Sequence, residues 1–276
     1  MTDRDTDMVF IADGPAEALG LSGFYDRFKA KLESHGIEYR SLPEVKDIWC
    51  RDFMPIQLDT HTFVGYRYAP DYLADEPDYV TDWRTICPRL DIEVVDSDIV
   101  LDGGNVVVCD DKVVLTDKVL GENRHRYSPS GLMVALSELF QGREPVIIPW
   151  HATGGDPYGH SDGLVRYLGS GRVLLSTLFN KDRAEIRKVL SQHFAEVIDL
   201  EFDIRGRGFE KYAWAYVNYL QVGDLVLVPS FGLPCEAGVM RQLAKLCDGC
   251  VIDHLPARPI ADMGGALHCI TWNIAR

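Results

Sequence analysis

The chain has 276 residues and a net charge of −14, a balance that argues against a nucleic-acid partner, since phosphate binding needs patches of Lys and Arg. Apolar residues make up 46%, enough for a sizeable core, but no apolar run nears the roughly 18 residues of a membrane span. The acidic, polar start MTDRDTDM lacks the pattern of a signal peptide, and seven cysteines without a framework spacing fit reduced thiols in a cytoplasm.

From the N-terminus, Met8 to Ala12 (MVFIA) reads as a strand and Ala16 to His35 as a helix. Phe53 to Tyr66 reads as a hairpin turning at Asp59-Thr60. The acidic, aromatic stretch Tyr68 to Trp83 follows as a long loop and candidate lid. A second hairpin, Gly104 to Thr116, turns at Asp110-Asp111 and precedes a helix over Ser128 to Phe140. A third, Asp162 to Leu178, turns at Gly169-Ser170-Gly171 and leads to a helix with Ile186, Val189, Leu190 and Phe194 at helical spacing. The fourth, Tyr216 to Ser230, turns at Gly223-Asp224 before the helix Glu236 to Leu246. Return strands such as Val146 to Pro149 and Cys250 to Asp253 make these ββαβ units. The last strand, Leu267 to Ile274, has no strand after it, so pairing with the N-terminal run would complete a fifth unit and close a ring. The fold class expected is therefore α/β, a pseudo-symmetric ring in one domain over residues 1–276.

Asp52, Asn105, Asp162, Asn218 and Cys269 each stand near the start of a hairpin's first strand, 53, 57, 56 and 51 positions apart. This period places five side chains at one end of the ring, converging on its axis. Hairpins also often begin with Asp or Asn for turn geometry alone, and Asp52 could equally cap a turn or pair with Arg51.

Four clusters carry candidate chemistry: DIWCRDFMP (Asp47 to Pro55), LDGGN (Leu101 to Asn105), GHSDG (Gly159 to Gly163) and DMGGALHC (Asp262 to Cys269). Each lies where a loop feeds a strand. Cys269 follows Gly264-Gly265, which would let a backbone or ligand approach closely. A thiolate needs a nearby base or cation, and His160, set between glycine and Ser-Asp, is the best partner. Paired carboxylates such as Asp52 and Asp162 suit a planar cation with several N–H donors. Cys247 and Cys250 form a lone CxxC, read as a helix end and strand start rather than zinc ligands. His151, His160 and that pair do not make a metal set, and no cofactor is expected.

The set WxRDxxP (Trp49, Arg51, Asp52, Pro55), GGN (Gly103 to Asn105), GHxDG (Gly159, His160, Asp162, Gly163) and GGxxHCxT (Gly264, Gly265, His268, Cys269, Thr271) resembles the agmatine deiminase family. That family includes the Porphyromonas-type peptidylarginine deiminases and belongs to the guanidino-group-modifying pentein superfamily. Ala215 to Gly232 and Thr116 to Asn123 are also similar to it, so the likeness runs in order over residues 47 to 273. Two positions depart from the pattern: Asp102 stands where Glu is expected in the agmatine-specific branch, and Ala215 replaces a serine.

The resemblance implies a five-bladed α/β propeller and a hydrolase that removes ammonia from a cationic guanidino compound. It implies Cys269 as nucleophile, His160 as acid and base, and Asp52 and Asp162 as holders of the guanidinium. Trp49 would cover the planar group, while Asn218, Asp102 and Gly265 would line the substrate. His268, alternating with Cys269 along a strand, reads as structural. The acidic loop around Asp71, Asp75, Glu76 and Asp78 favours agmatine or another dicationic substrate. Family habit and the prevalence of two-fold assemblies point to a homodimer. The alternatives are an amidinotransferase or dihydrolase using the same thiol, or a non-catalytic binding ring. The last has no use for the full Cys–His–Asp–Asp set.

Overall fold

The computed structural model describes residues 1–150, 157–176, 182–202 and 210–276. Its first elements are β1 (Met8–Ile11), α1 (Ser22–Ser34) and β2 (Glu38–Ser41). Next come α2 (Cys50–Phe53), β3 (Ile56–Gln57), β4 (Phe63–Val64), α3 (Trp83–Ile86) and β5 (Val94–Val95). The third group is β6 (Val107–Val108), β7 (Lys112–Thr116), α4 (Lys118–Asn123), α5 (Pro129–Leu139) and β8 (Glu144–Ile148). The fourth is β9 (Val165–Gly169), β10 (Arg172–Leu175), α6 (Arg183–His193) and β11 (Glu196–Asp199). Finally come β12 (Leu220–Val222), β13 (Leu225–Ser230), α7 (Glu236–Leu246), β14 (Val251–Pro256), α8 (Arg258–Ala261) and β15 (Thr271–Ile274).

These strands make five three-stranded sheets of one design. The middle strands β4, β7, β10 and β13 each run antiparallel to the strand before them and parallel to the one after. A parallel neighbour demands a crossover connection, which helices supply in the larger units. In the remaining sheet β1 pairs antiparallel with β15, Met8 opposite Ile274, and parallel with β2. The two ends of the chain thus complete one blade and close the ring.

The patterning explains the placement. Middle strands are covered on both faces and are mainly apolar: all six residues of β13 and all four of β1 are buried. Helices show one face inward. Val239 and Leu243 of α7, four residues apart, are its buried pair. The start of α5 is fixed by Ser128, whose Oγ accepts from Gly131 N at 3.1 Å, and by Pro129 at the first helical position. Trp272 of β15 stitches the closing blade to the next. Its ring lies 5.2 Å from Phe10 and 5.9 Å from Phe63, and its indole N–H donates to Pro55 O at 2.6 Å.

Three local expectations differ. Helix α1 begins at Ser22 rather than Ala16, because Gly20 takes φ +71° and ends a preceding run of turns. Strand β15 begins at Thr271, not Leu267, and residues 267–270 form a turn closed by Thr271 N donating to His268 O. His268 and Cys269 therefore do not alternate across a strand. The stretch from 68 to 83 holds two short 3-10 turns, Asp71–Leu73 and Pro77–Tyr79. Residues 177, 178 and 181, at the edges of the third hairpin and its helix, and His151 lie outside the described residues.

Candidate active site

The polar set falls just ahead of the hairpins: Asp52, Asn105, Asp162, Asn218 and Cys269 precede β3, β6, β9, β12 and β15 by two to four residues. Four of the five come together. Asp52, in the single turn α2, is buried, and its Oδ1 accepts from Gly104 N at 3.1 Å. His160 Nδ1 lies 3.6 Å from the same oxygen. A Cβ on Gly104 would sit 2.5 Å from Asp52 Oδ1 and 2.6 Å from His160 Nδ1, so only glycine allows this approach. Asn105 is the exception. Its Oδ1 accepts from Thr116 N at 2.8 Å, tying β7 to the turn before β6.

On the other side of the cluster, Cys269 Sγ lies 3.3 Å from Asn218 Oδ1 and 3.9 Å from Asp162 Oδ2. Asn218 Nδ2 donates to Asp162 O at 3.4 Å, and the backbone N of Cys269 donates to Asn218 Oδ1 at 3.4 Å. Asn218 thus holds the cysteine and the aspartate together. The Trp49 indole packs against Gly265, where a Cβ would come within 2.0 Å of it. Gly264 takes φ +99°, a conformation other residues avoid.

Asp102 is nearly fully buried, and its Oδ2 accepts from His160 Nε2 at 3.1 Å and from Lys118 Nζ at 3.0 Å. Its Oδ1 is buried without a hydrogen-bond partner. A buried acceptor left open beside the histidine is available to a ligand's N–H.

Electrostatics follow from burial and these pairings. Burial lifts Asp52 to about 7, with His160 pulling it back and Asp102 and Asp162 pushing it up. Burial would depress His160, but Asp52 and the hydrogen bond to Asp102 outweigh it and raise it to about 9. Burial would raise Asp162 too, yet its bond to His268 leaves it below the usual carboxylate value. Asp102 ends below its ordinary value likewise, because His160 and Lys118 offset its burial. Burial, then Asp162 and Asp52, hold the Cys269 thiol well above 9. The free site therefore keeps its cysteine protonated.

Further residues surround this cluster. His268 is not turned away from the cysteine's neighbours: its Nδ1 meets Asp162 Oδ2 at 2.6 Å, and its Nε2 faces Asp3 Oδ2 at 3.4 Å. Asp3 in turn pairs with Arg166 at 2.7 Å, so a buried polar chain backs Asp162. Tyr72 and Tyr158 pack edge-to-face at 5.1 Å and flank His160 at 6.2 and 5.9 Å. Lys118 follows β7 inside a segment whose similarity was noted without a role. Its signal was a lone lysine between an apolar strand and an apolar helix face. In the acidic loop, Asp71 reaches Lys118 at 3.4 Å, while Asp75, Glu76 and Asp78 are exposed. Arg126 pairs with Asp98, and Arg124 and His125 are exposed.

Cys247 and Cys250 are free thiols spanning the end of α7 and the start of β14. Among the described residues no group of three His, Cys, Asp or Glu side chains is arranged to hold a metal ion.

Five ββαβ blades around a polar centre define the pentein fold of guanidino-group-modifying enzymes. The chain belongs to the Porphyromonas-type peptidyl-arginine deiminase family, whose sequence profile matches residues 23–274. A relative from Selenomonas ruminantium, provisionally named an agmatine deiminase, is 26% identical over 88% of this chain and 78% of its own length. A cysteine-to-serine variant of C. jejuni agmatine deiminase, solved with substrate bound, superposes with a TM-score of 0.76. That comparison covers 100% of this chain and 96% of the other at 14% identity. SxtG, an amidinotransferase from Microseira wollei, superposes with a TM-score of 0.67 at 13% identity, over 100% of this chain and 96% of its own. At such identities these structures speak to the fold alone.

Proposed function

We propose that the protein is a cysteine-dependent deiminase that hydrolyses a guanidino compound, agmatine or a related arginine derivative, to a ureido product and ammonia. The observation that carries this reading is the gathering of one buried thiol, two buried carboxylates and a partly exposed histidine in a single cluster: Cys269, Asp52, Asp162 and His160.

In this reading the guanidinium inserts between Asp52 and Asp162, which accept its N–H donors, with Trp49 over its plane. Its positive charge replaces what the free site lacks. The cation offsets both aspartates and lets the Cys269 thiol ionise, its proton passing to solvent. The thiolate attacks the central carbon, forming a C–S bond and a tetrahedral adduct. His160, protonated in the free site, gives its proton to one nitrogen as the C–N bond breaks and ammonia leaves. Neutral His160 then takes a proton from water, which attacks the remaining thiouronium carbon. Collapse forms the C=O bond as the C–S bond breaks, the hydroxyl proton passes to sulfur, and the ureido product leaves the restored thiol. Asp102 orients His160 throughout.

No described helix is long and apolar enough to cross a membrane. None of the seven cysteines is in a disulfide, which supports a place in the cytoplasm.

The test is ammonia release from a panel of guanidino compounds, with Cys269→Ala alongside and the product identified by mass. A ureido product lost in the variant supports hydrolysis. An amidino group transferred to an added amine would replace it with the amidinotransferase reading, and two ammonia molecules per turnover with the dihydrolase reading.

A further inference from the structure

A buried lysine needs compensation, and Lys118 has much of it. Its side chain is 2% exposed, and its Nζ lies 3.0 Å from Asp102 Oδ2, 3.3 Å from Glu122 Oε1 and 3.4 Å from Asp71 Oδ1. The same atom stands 4.7 Å from the centre of the Tyr72 ring. Carboxylates beside an aromatic face are what a ligand's ammonium group seeks. Here the protein's own ammonium fills the cage.

The cage adjoins the reaction centre. The oxygen of Asp102 that holds Lys118 also faces His160 Nε2, and Tyr72 packs edge-on to His160. Lys118 and His160 already match Asp102 and its neighbours. Partial burial, then the neighbouring Asp102, push the Glu122 carboxyl up to about 7, so it is only partly ionised near neutral pH. A substrate's second ammonium group would find little unmatched negative charge here and would sit close to a like charge.

We infer that Lys118 is a specificity-determining residue that selects guanidino substrates lacking a second ammonium group: monocationic guanidines whose tail is neutral or carries a carboxylate. The inference rests on the deiminase reading and narrows its substrate, away from agmatine itself.

Agmatine, N-acetylagmatine and 4-guanidinobutyrate share a guanidinium and a short spacer but differ in the charge of the tail. We would compare kcat/KM for the three on the wild-type protein, on Lys118→Met and on Lys118→Gln. The wild type is expected to favour one of the two compounds without the ammonium over agmatine by about tenfold or more. Emptying the cage is expected to shrink that ratio about tenfold, chiefly by lowering KM for agmatine. A wild-type preference for agmatine overturns the inference, as does an unchanged ratio in a folded, active variant. If neither variant folds, the wild-type ranking decides. Ammonia released with agmatine preferred removes only this inference, whereas no ammonia from any guanidino compound removes the deiminase reading with it.

Discussion

In the proposed mechanism Cys269 stays a weak nucleophile until something positive arrives, and this shapes what single substitutions and pH should do. A guanidinium stays cationic across the working range, so binding needs ionised Asp52 and leaving-group protonation needs charged His160. With Asp52 near 7 and His160 near 9, kcat/KM should climb through the first value and fall beyond the second. A pH–rate profile with no acid limb near 7 would contradict this. The same carboxylate should cost stability. Its folded pKa is raised above the ordinary 3.9 or so, so the folded state holds the proton longer than the unfolded chain and stability is lost as pH rises from about 4 through 7. Asp52→Asn should abolish ammonia release yet melt about 2–4 °C higher than wild type at pH 8, with a smaller gain at pH 5. Thermal melts at the two pH values check the sign. The sequence exposed Asp52, Asp162, His160 and Cys269 because each sits beside glycine or at a turn in an otherwise apolar context. Tyr72, Tyr158 and Asp3 were illegible, since they reach the site from separate segments by packing alone.

Among elements, the turns before each first strand matter more than the strands. The site is built on α2, the 3-10 turns at 103–105 and 161–163, and the turn at 267–270, short pieces whose geometry glycine permits. Gly104→Ala should drop kcat/KM about 100-fold, because its Cβ would displace Asp52 or His160 by several tenths of an ångström or more. The far-ultraviolet spectrum should stay native. Wild-type kinetics from that variant would show the turn to be looser than it looks. Hairpins and long helices were readable from alternation and helical spacing, and α7 spans the residues expected, Glu236–Leu246. The first residue of β15 was not readable, because Leu267 and Ile270 look like strand residues. They are buried in a turn instead.

At the scale of the molecule, the repeat of polar residues at intervals of 51 to 57 positions carried the ring architecture, but it could not show that the same period places Asn105 outside the site. Ring closure depends on β15, and Trp272 is its anchor. Trp272→Ala should cost about 3–5 kcal/mol, measured by denaturant unfolding, because the indole contacts two blades and its N–H satisfies Pro55 O. A loss below about 1 kcal/mol would mean the seam is held mainly by its β ladder.

The blade that closes the ring is made of the earliest and the latest of its strands. During synthesis β1 must therefore wait, unpaired on the side that β15 will occupy, while the four other blades are made. Cys269, two residues ahead of β15, is translated after the residues proposed to bind the guanidinium. A nascent chain thus carries Asp52, His160 and Asp162 without its thiol, and the site is inert until the last blade zips shut.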